Sequence, residues 1–103
     1  MSPRIAIDES RIAAFCAKWK ISKLELFGSV LRDDFRPDSD VDLLVTYEPG
    51  VSPTLRQLTE IEEELGGILG RDIDLVPRKV IEASPNYIRR KSILSTAVGI
   101  YAA

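Results

Sequence analysis

A chain of 103 residues with 45% hydrophobic side chains predicts one small domain with a modest core, over residues 1–103. The formal net charge of −2 gives no global attraction to nucleic acid, and we expect no direct binding of it. The absence of histidine excludes His-based acid–base catalysis, the Ser-His-Asp triad and most zinc sites. A single cysteine and no long apolar run at the N-terminus predict a cytoplasmic protein with neither signal peptide nor membrane span.

The first predicted element is a helix that begins at Asp8 or Ser10 and ends near Lys20. Its apolar residues recur with the spacing i, i+3, i+4 and i+7, as expected of one buried stripe: Ile12, Phe15, Cys16 and Trp19. We therefore expect Cys16 to be a small core residue rather than a nucleophile. For the same reason Trp19 is expected to pack in the core rather than to stack on a base.

Two strands follow, over Leu24–Phe27 and Val41–Tyr47, and the loop between them is too short for a crossover helix. The strands are therefore predicted to be antiparallel neighbours. Asp40 and Asp42 lie at positions i and i+2, so they share a face about 6.5–7 Å apart at Cα. Two carboxylates at this spacing could ligate a hard cation such as Mg²⁺.

The other end of the same loop suits an anion. Gly28 permits a sharp backbone turn and close approach of a bulky group, because it has no Cβ. Ser29 adds a hydroxyl and an amide at the start of a predicted short helical turn, where free N–H groups favour phosphate. A metal–triphosphate is the ligand that would use both ends of the loop.

The second half of the chain predicts a helix, a strand and a helix. Thr54 and Gln57 can form a capping box, and Gly70 is expected to end the helix that they begin. Residues 72–76 predict a third strand that joins the sheet in parallel, with Asp72 and Asp74 on one face. The last helix is predicted to start at Ser84-Pro85 and to place apolar residues as far as Tyr101 on its buried side.

These elements predict an α/β fold with a small mixed sheet. Helices are expected to cover one face of the sheet, and the aspartates are expected to lie on the other, open face. Arg89, Arg90 and Lys91 form a short basic run near the start of the last helix. A solvated face is the preferred interpretation of this run, ahead of contact with RNA or with a negatively charged partner.

The combined motifs bear a family resemblance. Gly28-Ser29, ten intervening residues and then Asp40-Val41-Asp42 resemble the signature of the DNA polymerase β-like nucleotidyltransferases. Within this superfamily the chain is most similar to the minimal single-domain antitoxins that pair with HEPN-domain toxins. A departure is Asp33, where a small residue is usual. Further positions and segments that fit the family are Arg32, Ser39, Leu43–Val45 and Gly70–Val76.

The resemblance implies a polymerase β palm-like fold and a Mg²⁺-dependent enzyme, with two metal ions that Mn²⁺ could replace. AMP would move from ATP to a hydroxyl, that of a tyrosine, on a cognate HEPN-type toxin, with which the chain could form a hetero-oligomer. Asp40, Asp42 and Asp74 would be the catalytic metal ligands. The implied nucleotide-binding residues are Gly28, Ser29, Arg32 and Ser39.

Three other interpretations compete with this one. The chain could be a binding module that neutralises its partner by covering it, without catalysis. Ser39-Asp40 could instead only cap a turn while the acidic residues solubilise the protein. The Asp-x-Asp motifs of glycosyltransferases and haloacid-dehalogenase phosphatases are also similar, but those enzymes need larger bodies than 103 residues supply.

Overall fold

The computed structural model describes residues 7–28 and 40–103 of the chain. Their elements, in order, are α1 (Glu9–Trp19), β1 (Ile21–Phe27), β2 (Val41–Tyr47), α2 (Leu55–Leu69), β3 (Ile73–Pro77), α3 (Arg78–Glu82), α4 (Tyr87–Thr96) and β4 (Val98–Ala102). The strands form one mixed sheet in the order β3-β2-β1-β4. β1 is antiparallel to both β2 and β4, whereas β2 and β3 are parallel. This confirms the predicted α/β class and both predicted strand pairings.

The helix ends follow from local sequence signals. The Asp8 side chain accepts a hydrogen bond from the backbone N–H of Arg11 and begins α1. Thr54 and Gln57 form the predicted capping box at the start of α2. Gly70 ends α2 in the left-handed conformation, as predicted.

The larger core lies between one face of the sheet and helices α1 and α2. Residues from alternate positions of β1 and β2 meet the apolar stripes of the two helices there. Cys16 is fully buried in this core, and burial raises the pKa of its thiol to about 12, which confirms the core prediction. Trp19 packs against the same core while its indole N–H donates to Glu64 at 3.1 Å.

The helices lie on both faces of the sheet, and this corrects the prediction of helices on one face alone. A second apolar cluster brings Ile81 of α3 and Ile93 of α4 against Phe27 and Leu44. These two strand residues point away from the α1–α2 core, because side chains alternate along a strand. The short helix α3 lies between the predicted third strand and the predicted last helix, where no helix was predicted, so its contribution to this face was missed.

The prediction of one long final helix was wrong. α4 ends at Thr96, Ala97 leaves the helical conformation, and Val98–Ala102 form the edge strand β4 instead. Val98, Ile100 and Tyr101 pack against the larger core from this strand. Five residues of this kind fit either a helical stripe or a half-buried strand, so periodicity alone does not decide between them.

A buried ion pair joins the sheet to α3. Glu25 in β1 is 4% exposed, and its carboxylate accepts a hydrogen bond from Arg78 Nη1 at 2.5 Å. This hydrogen bond raises the pKa of the Arg78 guanidinium above its ordinary value. Arg78 also pairs with Glu82, one turn along α3, at 3.3 Å, so one guanidinium serves two carboxylates.

Within residues 7–28 and 40–103, no helix has both the length and the apolar character that a membrane crossing requires. The assignment of residues 1–103 to a single domain stays a prediction.

We expect Arg78→Met to lower the free energy of unfolding by about 2–3 kcal/mol, because it leaves the Glu25 carboxylate buried without its main partner. The loss falls short of that for a fully buried pair because Arg78 is partly exposed and Lys23 lies 3.8 Å from Glu25. Urea unfolding measures the effect. Lys79→Met, at an exposed neighbour on the same helix, is the control and should change stability little. Adding Glu25→Gln to Arg78→Met should recover part of the loss, and a double variant less stable than the single one would contradict the pairing.

Candidate active site

Gly28 and Asp42 lie side by side at the end of the β1–β2 pair. Phe27 is the register partner of Asp42, and Gly28 follows Phe27 with a φ of +77°. A Cβ added to Gly28 would lie 2.5 Å from Asp42 Oδ2, closer than such atoms approach in real proteins. Glycine is therefore favoured at this position for two reasons. It readily adopts the left-handed backbone conformation, and it leaves room beside the Asp42 carboxylate.

Asp42 and Asp74 are neighbours across the parallel pair β2–β3. The two residues are register partners, so their backbones are about 4.8 Å apart. Both point to the face that carries Leu44 and Val76, which lie two residues further along each strand and belong to the second apolar cluster. The backbone N–H of Val41 donates to the carbonyl of Asp72 at 3.0 Å and fixes the starts of the two strands together. The structure therefore brings two of the three predicted carboxylates together.

Asp40 is exposed and lies one residue before β2 begins. Among residues 7–28 and 40–103, no three acidic, cysteine or histidine side chains lie close enough together to hold a metal ion. The donor set nevertheless suits a hard divalent cation, because Asp42 and Asp74 offer carboxylate oxygens on adjacent strands. The participation of Asp40 as a third ligand stays a prediction.

Three predicted nucleotide-binding residues, Ser29, Arg32 and Ser39, lie outside the described residues, as does Asp33. Gly28 is the one member of that predicted set that the structure describes.

A cleft of about 630 Å³ opens beside Gly28 and Asp42. Its other wall is α4, which the Asn86 side chain caps by accepting from the backbone N–H of Arg89 at 3.0 Å. The residues that line the cleft are Phe27, Gly28, Asp42, Asn86, Ile88, Arg89, Ser92 and Ile93.

The contribution of α4 to the cleft was missed by sequence reasoning, which assigned Arg89 to a solvated face. A usable signal was the spacing of Arg89 from the apolar residues of the same helix, because residues four positions apart share one side of a helix. Ile93 and Leu94 face the second apolar cluster. Arg89 lies one turn before Ile93, so it falls at the edge of that cluster.

We expect Gly28→Ala to impair ligand binding at the cleft far more than Gly50→Ala does. Both glycines have positive φ, so each alanine should cost about 1 kcal/mol of stability. Around Gly50 a Cβ meets nothing within 4 Å, whereas at Gly28 the Asp42 carboxylate must rotate away. Thermal unfolding and calorimetric titration with Mg²⁺ and ATP separate the two effects. Equal ligand affinity in the two variants would show that the position of Asp42 does not matter for binding.

Comparison with known proteins places this geometry in a family. The family model for the nucleotidyltransferase domain matches residues 10–97. The protein adenylyltransferase MntA of Thermococcus cleftensis is 35% identical over 66 residues, which are 64% of this chain and 65% of that protein. The chain thus spans about 63–65% of the length of the first curated relatives that it matches.

Solved structures show the same fold. One described as a candidate minimal nucleotidyltransferase is 32% identical, with a TM-score of 0.65, over 87% of this chain and 86% of that one. A second is a complex of a tri-AMPylated HEPN toxin of Shewanella oneidensis with an MNT antitoxin. It is 20% identical, with a TM-score of 0.59, over 92% of this chain and 70% of that one, and it supports the fold alone.

The family match covers most of the chain and includes the Gly28 turn, the Asp42 and Asp74 strands and most of α4. This confirms the family resemblance found in the sequence: the chain belongs to the nucleotidyltransferase domain family.

Proposed function

We propose that this protein is an antitoxin that transfers AMP from ATP to a tyrosine hydroxyl of a HEPN-type toxin and releases pyrophosphate, in a Mg²⁺-dependent reaction. The observation that carries the proposal is the pairing of Asp42 with Asp74 beside Gly28, at the mouth of a cleft large enough for a nucleotide. The adenylyltransferase relative supports the choice of reaction, and the acceptor is the one that the family resemblance implies.

Asp40, Asp42 and Asp74 are the proposed ligands of two magnesium ions, and Mn²⁺ could replace them. Placing like charges on adjacent strands is unfavourable unless a cation offsets their repulsion. The ions would supply Lewis acidity at the transferred phosphoryl group and lower the pKa of the attacking hydroxyl.

The remaining proposed roles concern the triphosphate. Gly28 leaves room beside Asp42, so the nucleotide can approach the carboxylates without meeting a side chain. Ser29 would donate hydrogen bonds to phosphate oxygens, and Arg32 and Ser39 would complete the nucleotide site, as the family resemblance implies. Together these groups orient the phosphoryl group toward an acceptor that enters from solvent.

A second function, neutralisation by covering the toxin, is favoured by the surface of α4. Tyr87 and Ile88 are 60% and 78% exposed at the start of this helix, and Ile88 also lines the cleft. Exposed aromatic and aliphatic side chains beside a site are typical of a protein contact. We propose a hetero-oligomer with the toxin, in which contact and catalysis are separable, with no binding of nucleic acid. The single, buried Cys16 forms no internal disulfide, which is consistent with the cytoplasmic location that we propose.

We expect Asp74→Asn to abolish transfer without unfolding the protein. The residue is exposed and its charge lies beside Asp42, so the free energy of unfolding should stay equal or rise slightly. Transfer of label from ATP to a HEPN-type toxin should fall by about 100-fold or more, since loss of even a supporting group around a metal costs about 10–100-fold.

The matched control is Asp72→Asn, which removes the same charge two residues earlier, before β3 begins. Equal losses in both variants would indicate a general electrostatic effect and contradict a ligand role for Asp74. If Asp74→Asn still neutralises the toxin fully with no label incorporated, covering is the mechanism. Wild-type protein that never labels the toxin would refute the transferase proposal for that acceptor.

We also expect Mg²⁺ to stabilise the fold, because a ligand that binds only the native state adds free energy by mass action. At a free concentration of about 100 times Kd the gain is about 2.7 kcal/mol. Melting curves in MgCl₂ and in KCl of equal ionic strength separate specific binding from screening. Asp42→Asn should remove the difference between the two salts, and a wild type that melts identically in both would count against the metal site.

A further inference from the structure

Arg89 is a cation in the cleft wall opposite the carboxylates. Of the described residues that line this cleft, Arg89 carries the positive charge and Asp42 the negative one. The wall that carries Arg89 is held in place, because Ile93 and Leu94 of the same helix pack against Phe27 and Leu44 of the sheet. Apolar packing therefore positions the helix backbone that carries Arg89 relative to the strand that carries Asp42.

The side chain of Arg89 differs from those of the other arginines around it. Arg90 Nη1 donates to the carbonyl of Ser84 at 2.9 Å, and its guanidinium lies 5.5 Å from the centroid of the Tyr87 ring. Arg78 is engaged by Glu25 and Glu82. Arg89 is exposed, and its backbone N–H donates to the Asn86 side chain at the helix cap. Within residues 7–28 and 40–103, its guanidinium donates no hydrogen bond. Its guanidinium is therefore available to a ligand in the cleft.

The charges in the cleft indicate which part of a nucleotide Arg89 would bind. The negative charge of a nucleoside triphosphate adds to that of the carboxylates, and together they exceed the charge of two divalent ions. The remaining phosphate oxygens favour a guanidinium, whose planar set of N–H donors binds phosphate in a bidentate manner. The edge of adenine presents an amino donor beside its acceptor, and a guanidinium cannot pair with that amino group because it has no hydrogen-bond acceptor.

We infer that Arg89 binds the β- and γ-phosphates of the nucleotide from the α4 side of the cleft, opposite Gly28. This inference rests on the proposed function, since it assumes that the cleft takes ATP. It assigns to α4 a role in substrate binding that lies outside the Gly-Ser and Asp-x-Asp motifs.

The test is calorimetric titration of ATP, ADP, AMP and adenosine, with Mg²⁺, into wild type, Arg89→Gln, Arg89→Lys and Lys91→Gln. Lys91 is exposed on the same helix and does not line the cleft, so its variant controls for loss of one positive charge. Arg89→Gln should weaken ATP and ADP binding by about 10-fold or more, the effect of losing hydrogen bonds to a charged group. AMP and adenosine should bind as they do to wild type, Arg89→Lys should recover part of the ATP affinity, and Lys91→Gln should bind every ligand as wild type does.

Melting curves check that the variants remain folded, which the exposure of Arg89 leads us to expect. Equal ATP affinity in wild type and Arg89→Gln would overturn the inference and leave the proposed function intact. Equal loss for all four ligands would also overturn it, because it would place Arg89 at the ribose or base. A wild-type protein that binds no ATP at all would overturn the proposed function, and the inference with it.

Discussion

The burial of alternate residues in β2 is the constraint on which the candidate site depends. Val41, Leu43 and Val45 are buried in the core beneath α1 and α2. Side chains alternate along a strand, so Asp42 must point to the opposite face, where Gly28 and Asp74 are its neighbours. A slip of one residue in this strand would bury the carboxylate and expose the core. The same apolar packing that stabilises the fold thus positions the charge.

The second face of the sheet is divided between support and function. Helices α3 and α4 cover part of it through Ile81, Ile93 and Leu94, and the buried Glu25–Arg78 pair adds a polar anchor there. Asp42 occupies the part of this face that the helices leave open to the cleft, and Asp74 is its exposed neighbour on β3. The apolar cluster lies directly beside this acidic site, and its packing offsets the destabilising repulsion between the like charges.

Much of the fold was predictable because it depends on local patterns. The α1 stripe, the Thr54 capping box, the glycine end of α2 and the antiparallel β1–β2 pair each follow from neighbouring residues. The placement of Asp42 beside Asp74 was also predictable, since alternation and a parallel crossover decide it. The strand β4, by contrast, depends on a free edge of β1 that no local signal reveals. The partner of Glu25 was equally hidden, because Arg78 lies far along the chain.

The prediction of the site itself was limited in the same way. The Gly-Ser and Asp-x-Asp motifs indicated one side of the cleft, because both lie in a single loop and its flanking strands. The other side comes from α4, whose orientation is set by contacts with the sheet rather than by its own sequence. The roles of Asp40, Ser29, Arg32 and Ser39 remain predictions from the family resemblance.

The sheet order has a consequence for how the chain folds while it is being synthesised. β1 is an interior strand with one neighbour on each side. β2 follows it closely in the chain, whereas β4, whose Val98 pairs with Leu26, is synthesised much later. During translation β1 therefore presents an unpaired edge until β4 has left the ribosome. Such long-range closure slows folding, and an open apolar strand is prone to pair with other nascent chains. Residues 98–102 do not line the cleft, yet their pairing closes the free edge of the strand that leads into Gly28.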